Sequence, residues 1–166
     1  MARARIVAAG PGDARELTAI AHEAKRHWGY PGRWIVRWKG ALTVTPGFIL
    51  ANPTFCAVLG GRIVGFCALK LGGATASVEH LWVRPGAMGR GIGRSLFRRC
   101  EAGARDAGAA LLSIESDPHA EGFYNAMGAV TVGRRPAPMD GAERFLALLE
   151  KRLARRVKGS RPRSPT

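Results

Sequence analysis

The stretch Val83-Arg84-Pro85-Gly86-Ala87-Met88-Gly89-Arg90-Gly91-Ile92-Gly93-Arg94-Ser95-Leu96-Phe97 organises the rest of the chain. It starts at the end of an apolar run, Val78 to Val83, that reads as a buried strand. Pro85-Gly86 breaks the strand. Gly89, Gly91 and Gly93 then occupy alternate positions. From Ile92 the period becomes helical, with Ile92, Leu96, Phe97 and Cys100 on one face. The order is strand, glycine-rich loop, helix.

That order predicts an anion site. The first turn of a helix carries backbone N–H groups without internal partners, and the helix dipole is positive there. Glycines let a ligand approach the backbone, because no Cβ intervenes. The amides of Gly89, Gly91, Ile92, Gly93 and Ser95 are the candidate donors, and Arg90 and Arg94 add positive charge. A phosphate or pyrophosphate is the expected occupant. A P-loop would need Gly-x4-Gly-Lys-Ser/Thr, and no lysine follows. A dinucleotide fingerprint would need Gly-x-Gly-x-x-Gly, whereas the spacing here is Gly-x-Gly-x-Gly.

The run from Val83 to Leu96 instead resembles the acetyl-CoA loop of the GNAT acetyltransferase superfamily, Arg/Gln-x-x-Gly-x-Gly/Ala. The match puts Met88 at the Arg/Gln position and Gly91 and Gly93 at the small ones. Met88 is a departure that removes one polar side chain and leaves the backbone donors. A second stretch, Ser116 to Ala129, resembles the family's Asn-x-x-Ala-x-x-Phe-Tyr-x-x-x-Gly-Phe. Phe123-Tyr124 and Gly128 match, His119 stands where Asn is frequent, and Ala129 replaces Phe. The two motifs occur in the right order, and the resemblance spans roughly residues 5 to 150.

Composition fits one domain. The chain has 166 residues and 46% hydrophobic content. Cys56, Cys67 and Cys100 have no metal spacing, and their odd number argues against a disulfide framework. A reducing cytoplasm and no metal are the expectation. No apolar run approaches the roughly 20 residues of a membrane span. Net charge is +14, and Lys151 to Thr166 holds seven Lys/Arg and no acid. The expected division is a catalytic domain over 5–150 and a basic, disordered tail over 151–166. The basic body suits a polyanion such as CoA. Nucleic-acid binding finds no recognition helix or aromatic RNA-binding pair.

Patterning predicts strands at 5–9, 54–59, 62–71, 77–83, 110–114, 129–133 and 144–149. Gly60-Gly61 reads as a primed hairpin turn. Helices are expected at 13–26, 33–39, 92–107 and 120–127. This is an α/β (α+β) arrangement around one mixed, mostly antiparallel sheet flanked by helices, the order that the resemblance implies.

The resemblance further implies acetyl-CoA as co-substrate, bound by the loop, by His119 and by the strand end Leu81, Trp82 and Val83. It implies a backbone N–H near Val83 for the oxyanion and Tyr124 as the acid at the CoA sulfur. The segment His27-Trp28-Gly29-Tyr30 overlies the acceptor groove in the family, which makes Trp28 and Tyr30 substrate-site candidates. Simple strand alternation puts Ser77, Glu79 and Leu81 on one face and Val78, His80 and Trp82 on the other. In the family, acidic or histidine bases stand on the acceptor face four and six residues before the strand-ending Val, so the resemblance implies Glu79 as the first candidate base, directly or through water, with His80 the second if a bulge turns it inward. The expected acceptor is a primary amine of a small molecule or peptide, including a protein N-terminus or lysine. A non-catalytic acyl-CoA-binding domain is the alternative, and a homodimer is left open.

Overall fold

Two adjacent glycines set the first hairpin. Gly60 and Gly61 both have positive φ, 57° and 75°, the backbone of a primed two-residue turn. They join β2 (Thr54–Leu59) to β3 (Arg62–Gly72). The computed structural model describes residues 2–155 and builds one seven-stranded sheet, ordered β1-β2-β3-β4-β5-β7-β6. The other strands are β1 (Arg5–Ala8), β4 (Thr75–Val83), β5 (Leu111–Ser116), β6 (Val130–Pro136) and β7 (Phe145–Arg152). β4 and β5 pair in parallel, and the other neighbours pair antiparallel. The sheet is mixed and mostly antiparallel, as the sequence predicts.

Each face of the sheet carries its own core. α5 (Ile92–Asp106) buries Leu96, Phe97 and Cys100 against Cys67, Leu69 and Leu112. α1 (Ala14–His27) buries Leu17, Ile20 and Ala21 on the opposite face with Cys56 and Phe66. Each large side chain removed from water there contributes roughly 1.5–3 kcal/mol. α6 (Glu121–Ala126) joins the α5 side through Tyr124. α2 (Gly32–Arg37) and two further short helices, α3 (Lys39–Leu42) and α4 (Pro46–Ala51), lie on the α1 side.

Three departures from the sequence expectation have physical causes. α4 went unrecognised although its start is encoded locally: the Thr45 Oγ1 accepts from the Phe48 N–H at 3.0 Å and Pro46 takes the first helical position. β7 continues past Leu149 to Arg152, and Leu153 is buried, its N–H donating to the Ala110 carbonyl at 2.9 Å. Lys151 pairs with buried Glu101 and donates to the Met127 carbonyl at 2.6 Å, so its charge serves the body. The rest of the expected tail, 156–166, lies outside the described residues.

The third departure concerns the site. The β3–β4 register slips between Ala68↔His80 and Leu69↔Val78, so β4 carries a β-bulge at Glu79. The extra residue breaks the single alternation expected along β4. Val78 and Leu81 both pack on the α5 side. His80 instead meets the Phe48 and Phe66 rings on the α1 side, where Trp82 also packs.

Candidate functional site

Strands β4 and β5 are paired only from Thr75↔Leu111 to Val78↔Ile114. Beyond that rung they diverge, and a cavity opens on each side of the gap. The first, about 520 Å³, is walled by β4, the glycine loop, α5 and α6. The second, about 890 Å³, lies over β5, β7 and the β6–β7 loop. Val78, Glu79, His80 and Glu115 line both, so the cavities meet at the bulge.

The first cavity contains most of the predicted cofactor-site residues. Leu81, Trp82 and Val83 form its strand wall. Met88, Gly89 and Gly91 come from the loop, and Ile92, Gly93 and Arg94 from the first turn of α5. Gly91 has φ 75° at the cap of α5, and a Cβ there would meet nothing within 4 Å. The backbone is thus held open toward the cavity in a conformation that favours glycine. The first helical bond runs from the Ser95 N–H to the Gly91 carbonyl, which leaves the Ile92, Gly93 and Arg94 amides ahead of the helical ladder. Arg90 and Ser95 are exposed and do not line the cavity, and the Ser95 hydroxyl donates back to the Gly91 carbonyl at 3.2 Å. At Gly93 a Cβ would stand 3.4 Å from the Phe123 ring, so this glycine serves helix packing.

The strand end also presents free backbone. The Arg84 N–H donates to the Val64 carbonyl at 2.7 Å. Antiparallel alternation then turns the backbone groups of Leu81 and Val83 away from β3, into the gap. The Arg84 guanidinium, unforeseen from sequence, holds this end in place: it donates to the Ile63 carbonyl and pairs with Glu16 and Glu23 of α1.

Three of the titratable side chains that line the cavities were predicted to act on the reacting groups. Glu79 is exposed and accepts from the Ser77 hydroxyl at 2.8 Å. His80 is buried, and burial pushes its pKa down to about 4. Its Nδ1 accepts from the Trp82 indole N–H at 3.1 Å, so the ring is neutral with one nitrogen occupied. Tyr124 lines the first cavity among Phe97 and Phe123. Burial raises its pKa well above the ordinary phenol value, and its hydroxyl makes no hydrogen bond among the described residues.

The predicted acceptor-side aromatics separate. Trp28 lines the first cavity and stacks on His119, centroids 4.8 Å apart and planes 3° apart. Tyr30 lines neither cavity. Its hydroxyl donates to Asp117 at 2.9 Å and its ring packs on Trp34 and Trp38. Asp117 also pairs with Lys25 of α1 and with Arg144, just before β7. Burial would raise its pKa, but bonds from Lys25, the His119 amide and Tyr30 outweigh that and lower it. Asp140 binds Arg33, Arg37 and the Trp34 indole, which ties the β6–β7 loop to α2. Sequence reasoning missed both clusters, because their partners lie 27 to 107 residues apart.

The chain matches the model of the acetyltransferase (GNAT) family over residues 15–129. No curated protein matches it significantly. A GCN5-related N-acetyltransferase (aminotransferase, class II) from Rhodopseudomonas palustris is 24% identical with TM-score 0.76, over 92% of this chain and 98% of that one. The PaiA N-acetyltransferase from Thermoplasma acidophilum, in complex with coenzyme A, is 19% identical with TM-score 0.68, over 90% and 98%. The ribosomal-protein-S18-alanine N-acetyltransferase from Escherichia coli is 16% identical with TM-score 0.68, over 95% and 99%. At these identities the likeness shows a shared fold.

Proposed function

Because the chain belongs to the GNAT acetyltransferase family, we propose that it transfers an acetyl group from acetyl-CoA to a primary amine, by direct attack in a ternary complex. The observation that carries this reading is the meeting of the two cavities at the β4 bulge. One cavity suits the thioester and the other the amine.

The first cavity fits acetyl-CoA by its donors. The open backbone at Gly91 and the leading amides of α5 suit the pyrophosphate, with Arg94 adding charge. The unpaired backbone of Leu81 and Val83 suits the pantetheine amides. One of these N–H groups faces the carbonyl oxygen as it becomes an oxyanion.

Amine attack needs a neutral nitrogen, whereas a free alkylamine has a pKa near ~10. Glu79, exposed at the junction, takes the amine proton directly or through water. His80 is the poorer base: its Nδ1 lone pair is taken by the Trp82 indole N–H, so in the neutral ring the other nitrogen already carries the proton. The nitrogen bonds to the thioester carbon, and the carbon–sulfur bond breaks. Tyr124 gives its phenolic proton to the departing thiolate, and solvent returns a proton to Tyr124 as Glu79 releases the one taken from the amine. The products are an amide and the CoA thiol.

The test follows thiol release from acetyl-CoA with a panel of amines and peptides. Release that depends on an added amine, with matching acetylated product, is expected. Binding of acetyl-CoA with no turnover of any amine would leave a binding module instead.

A further inference from the structure

Two cations converge on one carboxylate beside the second cavity. Asp117 accepts from the Lys25 Nζ at 2.6 Å and from the Arg144 Nη2 at 3.0 Å. The two basic side chains are only 9% and 10% exposed. No second carboxylate pairs with either among the described residues. Their other neighbours are aromatic: the Trp38 centroid lies 4.1 Å from the Lys25 Nζ and 4.9 Å from the Arg144 Cζ. The cluster therefore holds one positive charge in excess, in a place where an unmatched charge is costly. In addition, the Arg144 Nε is buried and donates to nothing among the described residues. Arg144 and Trp38 both line the second cavity. A group that answers this excess charge is an anion.

Elsewhere the same cavity has the opposite sign. Glu79 stands at the junction and Glu150 on β7, while Glu115 is neutralised by Arg135. Ser77, Ser113 and Glu150 lie in one row across β4, β5 and β7. Leu146 and Leu148 supply an apolar floor. The cavity is thus polarised, with the Glu79 carboxylate at the reacting end, Glu150 beside Ser113, and an undercompensated arginine at another wall.

We propose that the acceptor is an amino acid, its amine held at Glu79 and its carboxylate bound by Arg144. This rests on the acetyl-transfer reading above and deepens it. A free amine without an acid group leaves the one positive charge that Asp117 does not match between Lys25 and Arg144 unanswered. Arg144 is then the residue that sets specificity.

The experiment compares acetylation of the twenty L-amino acids, β-alanine and γ-aminobutyrate with that of their descarboxy amines, such as isopentylamine for leucine. The wild-type chain should favour the best amino acid over its descarboxy amine by at least about 10²-fold in kcat/KM, because breaking a desolvated charge pair costs that much. Arg144→Gln should reduce this preference to below about tenfold, mainly by raising KM for the amino acid. Arg144→Lys, which keeps the charge, should retain part of it. The acetyl-CoA-induced melting shift of each variant reports whether fold and cofactor side survive. Equal efficiency on amino acids and descarboxy amines, or turnover of amines or peptides but of no amino acid, overturns the inference while the acetyl-transfer reading stands. Absence of any acetyl-CoA stabilisation brings down that reading instead.

Discussion

Val78 and Ile114 form the last rung of the parallel β4–β5 ladder. One residue later β4 bulges at Glu79. The parting of the strands and the change of face therefore coincide, and both cavities meet there. A sheet interior normally satisfies its backbone through neighbouring strands. Here the strand end past Val78 keeps β3 but lacks β5, so the backbone groups of Leu81 and Val83 that face the gap are available to a ligand.

Acetyl-CoA should stabilise the fold by roughly 2.7 kcal/mol at a hundredfold excess over Kd. Gly91→Asp should abolish the gain, since it adds a negative charge at the pyrophosphate and a side chain at φ 75°. Melting curves with and without acetyl-CoA decide it. The same shift in wild type and variant would remove the loop from the cofactor site.

Tyr124→Phe should lower kcat by up to 10²–10⁴-fold, the range of general acid catalysis, with little change in acetyl-CoA binding. The ring contacts with Phe97 and Phe123 survive the change. Steady-state kinetics from pH 6 to 9, with melting curves as control, measure it. Equal kcat values would leave Tyr124 a core residue.

His80 makes stability depend on pH. Its folded pKa is lowered from 6.5 to about 4, so between these values the unfolded chain binds the extra proton. Stability is full above about pH 6.5 and falls as pH drops toward 4, by about 3 kcal/mol for this group. His80→Phe should lose correspondingly less between pH 7 and 4.5 in urea titrations. Identical pH profiles would show that His80 is solvated and protonates freely.

Lys151→Ala should destabilise the chain by about 3 kcal/mol, because buried Glu101 loses its closest partner and Arg105 stands 3.9 Å away. Glu101→Gln in the same background should restore part of the loss. Denaturant midpoints of the three proteins test this, and a Lys151→Ala midpoint equal to wild type would mean the pair is solvated.

The strand–loop–helix unit was legible because proline, alternating glycines and a change of period are local signals. Tyr124 and the loop residues were placed by motif resemblance, and all of them but Arg90 and Ser95 line one cavity. The bulge was not legible, because register depends on Ala68 and Leu69 of another strand. Asp117 carries no local signal, yet it gathers Lys25, Tyr30 and Arg144 from other segments. Lys151 was misplaced by composition: a run of basic residues resembles a tail until one of them meets Glu101.

The most direct measurement is thiol release from acetyl-CoA by the purified chain, with and without an amine panel, alongside mass analysis of the amine. Release should require an amine, yield one acetylated amine per thiol, and slow in Tyr124→Phe together with product formation. Thiol release at the same rate without any amine, or none with acetyl-CoA bound, would contradict the acetyl-transfer reading.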